Sequence, residues 1–100
     1  GSMGDVALVT GGARRIGRAI VERLAANGYA VAIHCGSARD EADSLAAGIV
    51  RDGGRAAVLV ADLADPEAVA ALMPAAEAAL GPVTLLVNNA SSFLVDEVTT

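Results

Sequence analysis

Lysine and tryptophan are absent from the 100-residue sequence, aromatic residues make up 2% of it, and Cys35 is its one cysteine. A single cysteine permits no internal disulfide, which is typical of a protein in a reducing compartment. A net charge of −5 with so few aromatic residues argues against a nucleic-acid-binding surface. No apolar run approaches the roughly 18 to 20 residues that a membrane-spanning helix needs. These features predict a cytoplasmic protein that binds neither nucleic acid nor membrane.

Small and branched aliphatic residues supply most of the 54% hydrophobic content, which suits closely packed layers of helix on sheet. Short apolar runs predict strands over residues 6–9, 29–34, 56–61 and 83–88. Apolar residues at helical spacing predict helices over 16–27, 42–49 and 65–80. Near-continuous apolar strands that alternate with helices are typical of a parallel sheet covered on both faces. The sequence therefore predicts an α/β fold with a Rossmann-type, doubly wound parallel sheet of four strands and three helices.

Local signals predict the end of the first helix and the start of the third. Ile16, Ile20 and Leu24 recur at every fourth position and are expected to form the buried face of the first helix. Gly28 is expected to end that helix, because glycine adopts the left-handed conformation that a helix C-terminus uses. In the segment 65–67, an aspartate before a proline and a glutamate predicts the start of the third helix.

The candidate site lies where the strands end, because ligands of doubly wound sheets bind beyond the carboxyl ends of the strands. Four separate segments, 10–17, 34–37, 62–63 and 88–93, are expected to meet there. In the first segment, Gly11 permits a tight turn and Gly17 lets the following helix pack close to the strand. A helix N-terminus offers free amides and a positive dipole, so this glycine loop predicts a pyrophosphate site.

Three motifs then occur in a characteristic order along the chain: T-G-x-x-x-x-I-G from residue 10, A-D-L from residue 61 and N-N-A from residue 88. Together they resemble the short-chain dehydrogenase/reductase family over essentially the whole chain. The resemblance implies a nicotinamide dinucleotide bound to a Rossmann sheet and hydride transfer to or from a carbonyl or imine carbon. It also implies a small-molecule substrate and a homo-oligomer, a tetramer.

Two departures from the general family pattern are similar to its pteridine reductase branch. Arg14 and Arg15 occupy the loop where much of the family has glycine at the second position, and N-A-S-x-F follows the fourth strand. The resemblance implies that Arg14 reaches the 2′-phosphate of NADP and that Arg15 points into the active site. It further implies that Ser91 hydrogen-bonds substrate or cofactor phosphate and that Phe93 stacks on a flat pterin ring.

The residues after the second strand favour NADP over NAD. No acidic residue occurs within 34–37, where NAD-specific folds place an acid for the ribose 2′-hydroxyl. His34 is read either as a cofactor contact or as an ordinary packed residue, and Ser37 as part of a phosphate-accepting loop. Asp62 and Leu63 are expected to hold adenine. The predicted cofactor-binding residues are Gly11, Arg14, Arg15, Ile16, Gly17, His34, Ser37, Asp62, Leu63, Asn89, Ala90 and Ser91. The predicted substrate contacts are Arg15, Ser91 and Phe93. No metal site is predicted.

The family's catalytic Tyr-x-x-x-Lys pair is not in the sequence, since Tyr29 is followed four positions later by Ile33 and there is no lysine. Residues 1–3 are interpreted as a cloning scar with the initiator methionine, and 4–100 as the N-terminal, dinucleotide-binding part of a reductase domain. Alone, this part is expected to be inactive. The resemblance implies that the whole protein is an NADPH-dependent reductase of a dihydropterin or dihydrofolate-like pteridine. The alternatives are a β-ketoacyl-thioester or other carbonyl reductase of the family, or a non-catalytic nucleotide-binding module.

Overall fold

Two apolar strands, side by side, form the centre of a parallel sheet in the computed structural model, which describes residues 4–89. The elements are β1 (Val6–Thr10), α1 (Arg15–Ala26), β2 (Ala30–Cys35), α2 (Arg39–Arg51), β3 (Ala56–Val60), α3 (Pro66–Leu80) and β4 (Leu85–Asn88). The two central strands are β1 and β2, and every residue of both is buried. The strand order is β3-β2-β1-β4, so the chain runs outward to one edge, crosses back over the sheet and adds its last described strand at the other.

Side chains of the central strands alternate between two apolar cores. On one face, Val9, Val31 and Ile33 pack with Val21 of α1 and with the buried residues of α2. On the other face, the core formed with α3 contains Leu8 and the small alanines of β2. Helices therefore cover both faces of a parallel sheet, which confirms the predicted fold class. Within residues 4–89, none of these helices has the length and apolar character needed to cross a bilayer.

Glycines end α1 and α2, and Gly28 is the predicted end of α1. Gly28 has φ +92° and Gly53 has φ +93°, the left-handed conformation in which glycine lacks the Cβ penalty. After α1, the Tyr29 amide donates to the Leu24 carbonyl at 3.1 Å. After α2, the Gly54 amide donates to the Ile49 carbonyl at 2.9 Å. Both ends are Schellman motifs, which supply partners for the last carbonyls of each helix.

The predicted start of α3 is confirmed by its cap. The Asp65 carboxylate accepts a hydrogen bond from the Glu67 amide at 3.0 Å, and Pro66 occupies the first helical position. At the other end, the Arg55 guanidinium donates to the Leu80 carbonyl at 3.1 Å. An arginine from the loop before β3 therefore satisfies a carbonyl at the C-terminus of α3.

The predicted buried face of α1 is wrong at its first residue. Ile16 is 72% exposed, whereas Gly17 and Val21 are the buried residues of this helix. Consecutive helical residues are rotated by about 100°, so a face centred on Gly17 and Val21 turns Ile16 away from the sheet. Ile20, one position before Val21, is accordingly only partly buried, and Leu24, which lies on the same side of the helix as Gly17 and Val21, packs at the edge of the core and is also partly buried.

The fourth strand begins two residues later than predicted, at Leu85. Thr84 precedes it, and its amide and its hydroxyl both donate to the Val6 carbonyl, at 2.8 Å and 3.2 Å. The Val6 amide donates to the Thr84 hydroxyl oxygen at 3.3 Å, so a side-chain oxygen takes part in the pairing here. The regular ladder with β1 starts at Leu85, which pairs with Ala7. In the sheet formed by residues 4–89, β4 is an edge strand on which Leu86 is 54% exposed.

Candidate functional site

The carboxyl ends of the strands surround two adjoining crevices, as the sequence predicts for the site. A crevice of ≈ 200 Å³ is lined by Arg14 together with residues 35–38 at the end of β2. A second, of ≈ 480 Å³, is lined by Ser37, Asp62 and Leu63. Gly11 lines both crevices. The structure thus brings residues from three strand ends to one rim.

The glycine loop is closely packed where α1 begins. Gly11 has φ +64°, a backbone conformation that glycine accepts at no steric cost. A Cβ atom added to Gly17 would overlap the Gly11 carbonyl oxygen and would lie 2.6 Å from Nδ2 of Asn89. Glycine at position 17 is therefore required for the first turn of α1 to lie directly against the loop, as predicted.

Two polar side chains fix the loop to the neighbouring edge strand. The Asn89 amide nitrogen donates to the Gly11 carbonyl at 3.1 Å. The Thr10 hydroxyl lies 3.0 Å from Oδ1 of Asn88. Asn89 is one of the predicted site residues, and its contact in this structure is with the loop. Thr10 and Asn88 were not among the predicted site residues, although both belong to the motifs that carry the family resemblance.

The His34 ring lies between the glycine loop and the end of β3. Its Nδ1 accepts from the Gly11 amide at 3.0 Å, and its Nε2 lies 2.9 Å from the Ala61 carbonyl oxygen. The residue is 2% exposed. Direct contact between His34 and a cofactor stays a prediction, while both ring nitrogens are engaged within the protein.

Arg14 and Arg15 both project from the start of α1 and are exposed. The Arg14 side chain lies 3.4 Å from a carboxylate oxygen of Glu41, and the two side chains are 59% and 55% exposed. Ion pairs this exposed contribute little to stability, so Arg14 remains available to a stronger anion. Glu41 comes from the first turn of α2 and was not predicted to be near the site, since no local pattern connects it with Arg14.

Arg15 has φ +55°, the one positive φ among the non-glycine residues of 4–89. An L-residue with a Cβ pays roughly 1 to 2 kcal/mol to adopt this left-handed conformation. The position therefore favours glycine on backbone grounds, which is the residue the family usually has there. Strained backbone conformations of this kind cluster at active sites and ligand clamps, where the surrounding structure maintains them.

The first turn of α1 offers anion-binding groups without an acidic side chain to occupy them. This turn contains no acidic residue, and Arg14 provides no side-chain cap. The first amides of a helix have no carbonyl partner within it, and two positive charges at the positive end of the dipole are unfavourable unless an anion is present. Ile16, which is exposed in this turn, stays a predicted cofactor contact.

The residues predicted to hold adenine lie at the end of β3. The Asp62 carboxylate accepts from the Ala64 amide at 2.9 Å through one oxygen, and the side chain remains exposed. Leu63 is partly buried against the α3 core. Their contacts with a nucleotide stay predictions, but they line the same crevice as Ser37.

Cys35 is buried beside this site. Burial raises the pKa of its thiol, and the Asp43 carboxylate adds to the increase while Arg39 opposes it. The thiol is therefore protonated near neutral pH, so it is a poor nucleophile and acts as a small packed residue. The remaining predicted residues, Ala90, Ser91 and Phe93, lie outside the described residues.

The chain is similar in sequence to known proteins. The family model for short chain dehydrogenase matches residues 5–99. A short-chain type dehydrogenase/reductase from Picea abies is 44% identical over 93 residues, covering 87% of the chain and 34% of that protein. The 3-oxoacyl-[acyl-carrier-protein] reductase FabG of Staphylococcus aureus is 36% identical over 84 residues, covering 84% of the chain and 34% of that protein.

Among solved structures, the chain is similar to the FolM alternative dihydrofolate reductase 1 of Brucella suis, which was crystallised in complex with NADP. The identity is 50% and the TM-score 0.86, over 92% of this chain and 38% of that one. The chain thus spans between a third and two fifths of the length of these relatives.

Proposed function

Because the chain belongs to the short-chain dehydrogenase family, we propose that the full-length protein is an NADPH-dependent reductase whose cofactor binds at the rim described above. When bound, the reduced nicotinamide supplies a hydride. The observation that carries the proposal is the loop itself: a tightly packed helix N-terminus with two arginines and no acidic residue in its first turn. This arrangement fits a dinucleotide with more phosphate than NAD carries.

Each part of the cofactor has candidate partners in the chain. We propose that the amides at the start of α1 hold the pyrophosphate and that Arg14 and Ser37, which line one crevice, hold the 2′-phosphate. Asp62 and Leu63 line the second crevice. The Asp62 carboxylate would accept a hydrogen bond from the adenine amino group, and Leu63 would cover the face of the adenine ring. The NADP complex of the Brucella suis protein, 50% identical over most of this chain, supports the choice of cofactor.

For the substrate, we propose a dihydropterin or dihydrofolate-like pteridine. Arg15 supports this, because an exposed residue held in a left-handed backbone conformation is typical of ligand-binding sites. The motif that places Ser91 and Phe93 after the fourth strand points to the same substrate, since an aromatic ring can stack on a planar heterocycle. The name of the Brucella suis relative, an alternative dihydrofolate reductase, is consistent with this class. The predicted homo-oligomer and cytoplasmic location stay predictions.

A carbonyl substrate is the second candidate, favoured by the similarity to the Staphylococcus aureus 3-oxoacyl reductase. The two candidates are separated by assaying NADPH oxidation by the full-length protein with dihydrobiopterin, dihydrofolate, and an acetoacetyl thioester. We expect turnover of at least one pteridine. Turnover of the thioester with no activity toward either pteridine would contradict the pteridine proposal and leave the cofactor proposal intact.

Replacing Arg15 by glycine separates backbone strain from substrate contact. Arg15→Gly removes the left-handed penalty, so we expect the free energy of unfolding to rise by about 1 kcal/mol. Loss of the guanidinium should lower kcat/KM for the pteridine by at least about tenfold, the equivalent of one charge-assisted hydrogen bond. The variant is thus expected to be more stable and less active, as measured by denaturant unfolding and steady-state kinetics.

Arg15→Asn is the matched control, because asparagine tolerates a left-handed backbone but carries no positive charge. It should show the same kinetic loss as Arg15→Gly. If both variants reduce the pteridine as efficiently as the unmodified protein, Arg15 does not contact the substrate.

A further inference from the structure

His34 joins three strand ends through one buried ring. The Gly11 amide, which follows β1, donates to Nδ1 at 3.0 Å, and the Ala61 carbonyl, which follows β3, lies 2.9 Å from Nε2. The ring itself belongs to β2, the strand between them, and is 2% exposed. The segments that it connects are the glycine loop and the end of β3, and Gly11, His34 and Ala61 all line the ≈ 480 Å³ crevice.

We infer that His34 is a positioning residue, one that holds the glycine loop and the Asp62–Leu63 segment at the separation a dinucleotide requires. The inference rests on the proposed cofactor binding and assigns His34 a task other than contact with the cofactor. Its ring acts through the two segments, because both nitrogens are already engaged by the protein.

The partners of the ring determine its chemical state. A backbone amide can only donate a hydrogen bond and a carbonyl can only accept one. Nδ1 therefore carries no proton and Nε2 carries one, so the ring is neutral and in a single tautomer. Histidine is suited to this position because one rigid ring presents an acceptor and a donor in opposite directions. An amide side chain can replace one of these two atoms but is too short or too flexible to replace both.

His34 also determines which amides remain for a phosphate. Its carbonyl accepts from the Gly12 amide at 2.9 Å, in addition to the bond between its ring and the Gly11 amide. Both glycine amides of the turn are thus used within the protein. A pyrophosphate is left with the amides at the start of α1, whose position depends on the loop that His34 holds.

The loop and the adenine side of the rim are shared by NADP and NAD, since the two cofactors differ only at the 2′-phosphate. A defect at His34 should therefore weaken both cofactors by the same factor. A defect at Arg14 should instead weaken NADP alone. This difference separates positioning of the rim from recognition of the extra phosphate.

The test is calorimetric binding of NADP and NAD to three variants of the full-length protein, at a temperature well below the unfolding midpoint of each. His34→Leu, which keeps an apolar filling but neither hydrogen bond, should lose at least about tenfold in affinity for both cofactors. His34→Asn places an oxygen where Nδ1 stands and should recover affinity through the Gly11 amide. His34→Gln, which reaches only toward Ala61, should recover less than His34→Asn.

A folded His34→Leu variant that binds both cofactors as tightly as the unmodified protein would overturn the inference. If the unmodified protein binds neither cofactor, the proposed function itself fails. Should His34→Leu not fold, the ring nitrogens of His34 in the ¹⁵N-labelled unmodified protein provide a second measurement. Signals of a neutral ring with its proton on Nε2 support the inference, and the other tautomer or a charged ring contradicts it.

Discussion

Replacing Gly17 by alanine is expected to destabilise the protein and to remove most of its cofactor affinity. The added methyl group would overlap the Gly11 carbonyl oxygen and approach Nδ2 of Asn89 to 2.6 Å, so the loop or the start of α1 must shift. Overpacking and the loss of the hydrogen bond between Asn89 and Gly11 together cost about 2 to 4 kcal/mol. We expect that decrease in the free energy of unfolding and at least about a tenfold weaker affinity for NADP.

Gly48→Ala is the matched control, because Gly48 is also a helical glycine but lies in α2, away from the rim. A Cβ atom there would meet only the flexible end of the Arg51 side chain, at 3.6 Å. Alanine has the higher helix propensity, so this variant should gain about 0.5 to 1 kcal/mol and bind NADP normally. If Gly17→Ala behaves like Gly48→Ala in denaturant unfolding and in calorimetry, the close packing of loop and helix does not matter for the site.

Replacing Arg14 by alanine is expected to weaken NADP and leave NAD unchanged. The 2′-phosphate is doubly charged near neutral pH, and a charge-assisted hydrogen bond to a guanidinium is worth about 1.5 to 3 kcal/mol. Residues 34–37, at the end of β2, include no acidic residue that could pair with this guanidinium in place of the phosphate. Arg14→Ala should therefore lower NADP affinity by at least about tenfold, as measured by titration of the full-length protein with each cofactor.

The ion pair between Arg14 and Glu41 supplies the control for this prediction. Glu41→Gln removes the partner of Arg14 in the structure without removing the guanidinium. If Arg14 binds the phosphate, Glu41→Gln should bind NADP at least as tightly as the unmodified protein, because a competing carboxylate is lost. If Glu41→Gln instead reproduces the defect of Arg14→Ala, the ion pair matters for the local fold and the phosphate assignment is wrong.

The fold could be predicted because its determinants are local. Gly28 and the segment 65–67 define helix ends through hydrogen bonds to residues close in sequence, such as that between Asp65 and the Glu67 amide. The continuous apolar runs of β1 and β2 likewise identify strands that are buried on both faces. The family resemblance depends on short sequence motifs, and the family model, which matches residues 5–99, confirms it.

The errors occur where tertiary packing determines the outcome. Ile16 fits the period of a buried helix face, but the close approach of Gly17 to Gly11 rotates that face by one residue. Val83 and Thr84 were predicted as strand residues, yet the Val6 amide donates to the Thr84 hydroxyl oxygen, a side-chain acceptor. Neither effect is visible in the periodicity of the segment itself.

The site was predicted as a set of segments, and its internal contacts were not. That residues 10–17, 34–37 and 62–63 meet follows from the parallel sheet. The contacts of Arg14 with Glu41, and of His34 with Gly11 and Ala61, were not predicted. They depend on side-chain directions in elements that lie 23 to 27 residues apart in the chain. The variants proposed at Arg14 and His34 test these contacts.

A preference of this rim for NADP over NAD is tested most directly by the two dissociation constants of the unmodified full-length protein. Both are measured by calorimetry in one buffer at one ionic strength, because salt weakens the phosphate contact. We expect a preference for NADP of at least about tenfold, or ~1.4 kcal/mol. Equal affinities, or a preference for NAD, would contradict it.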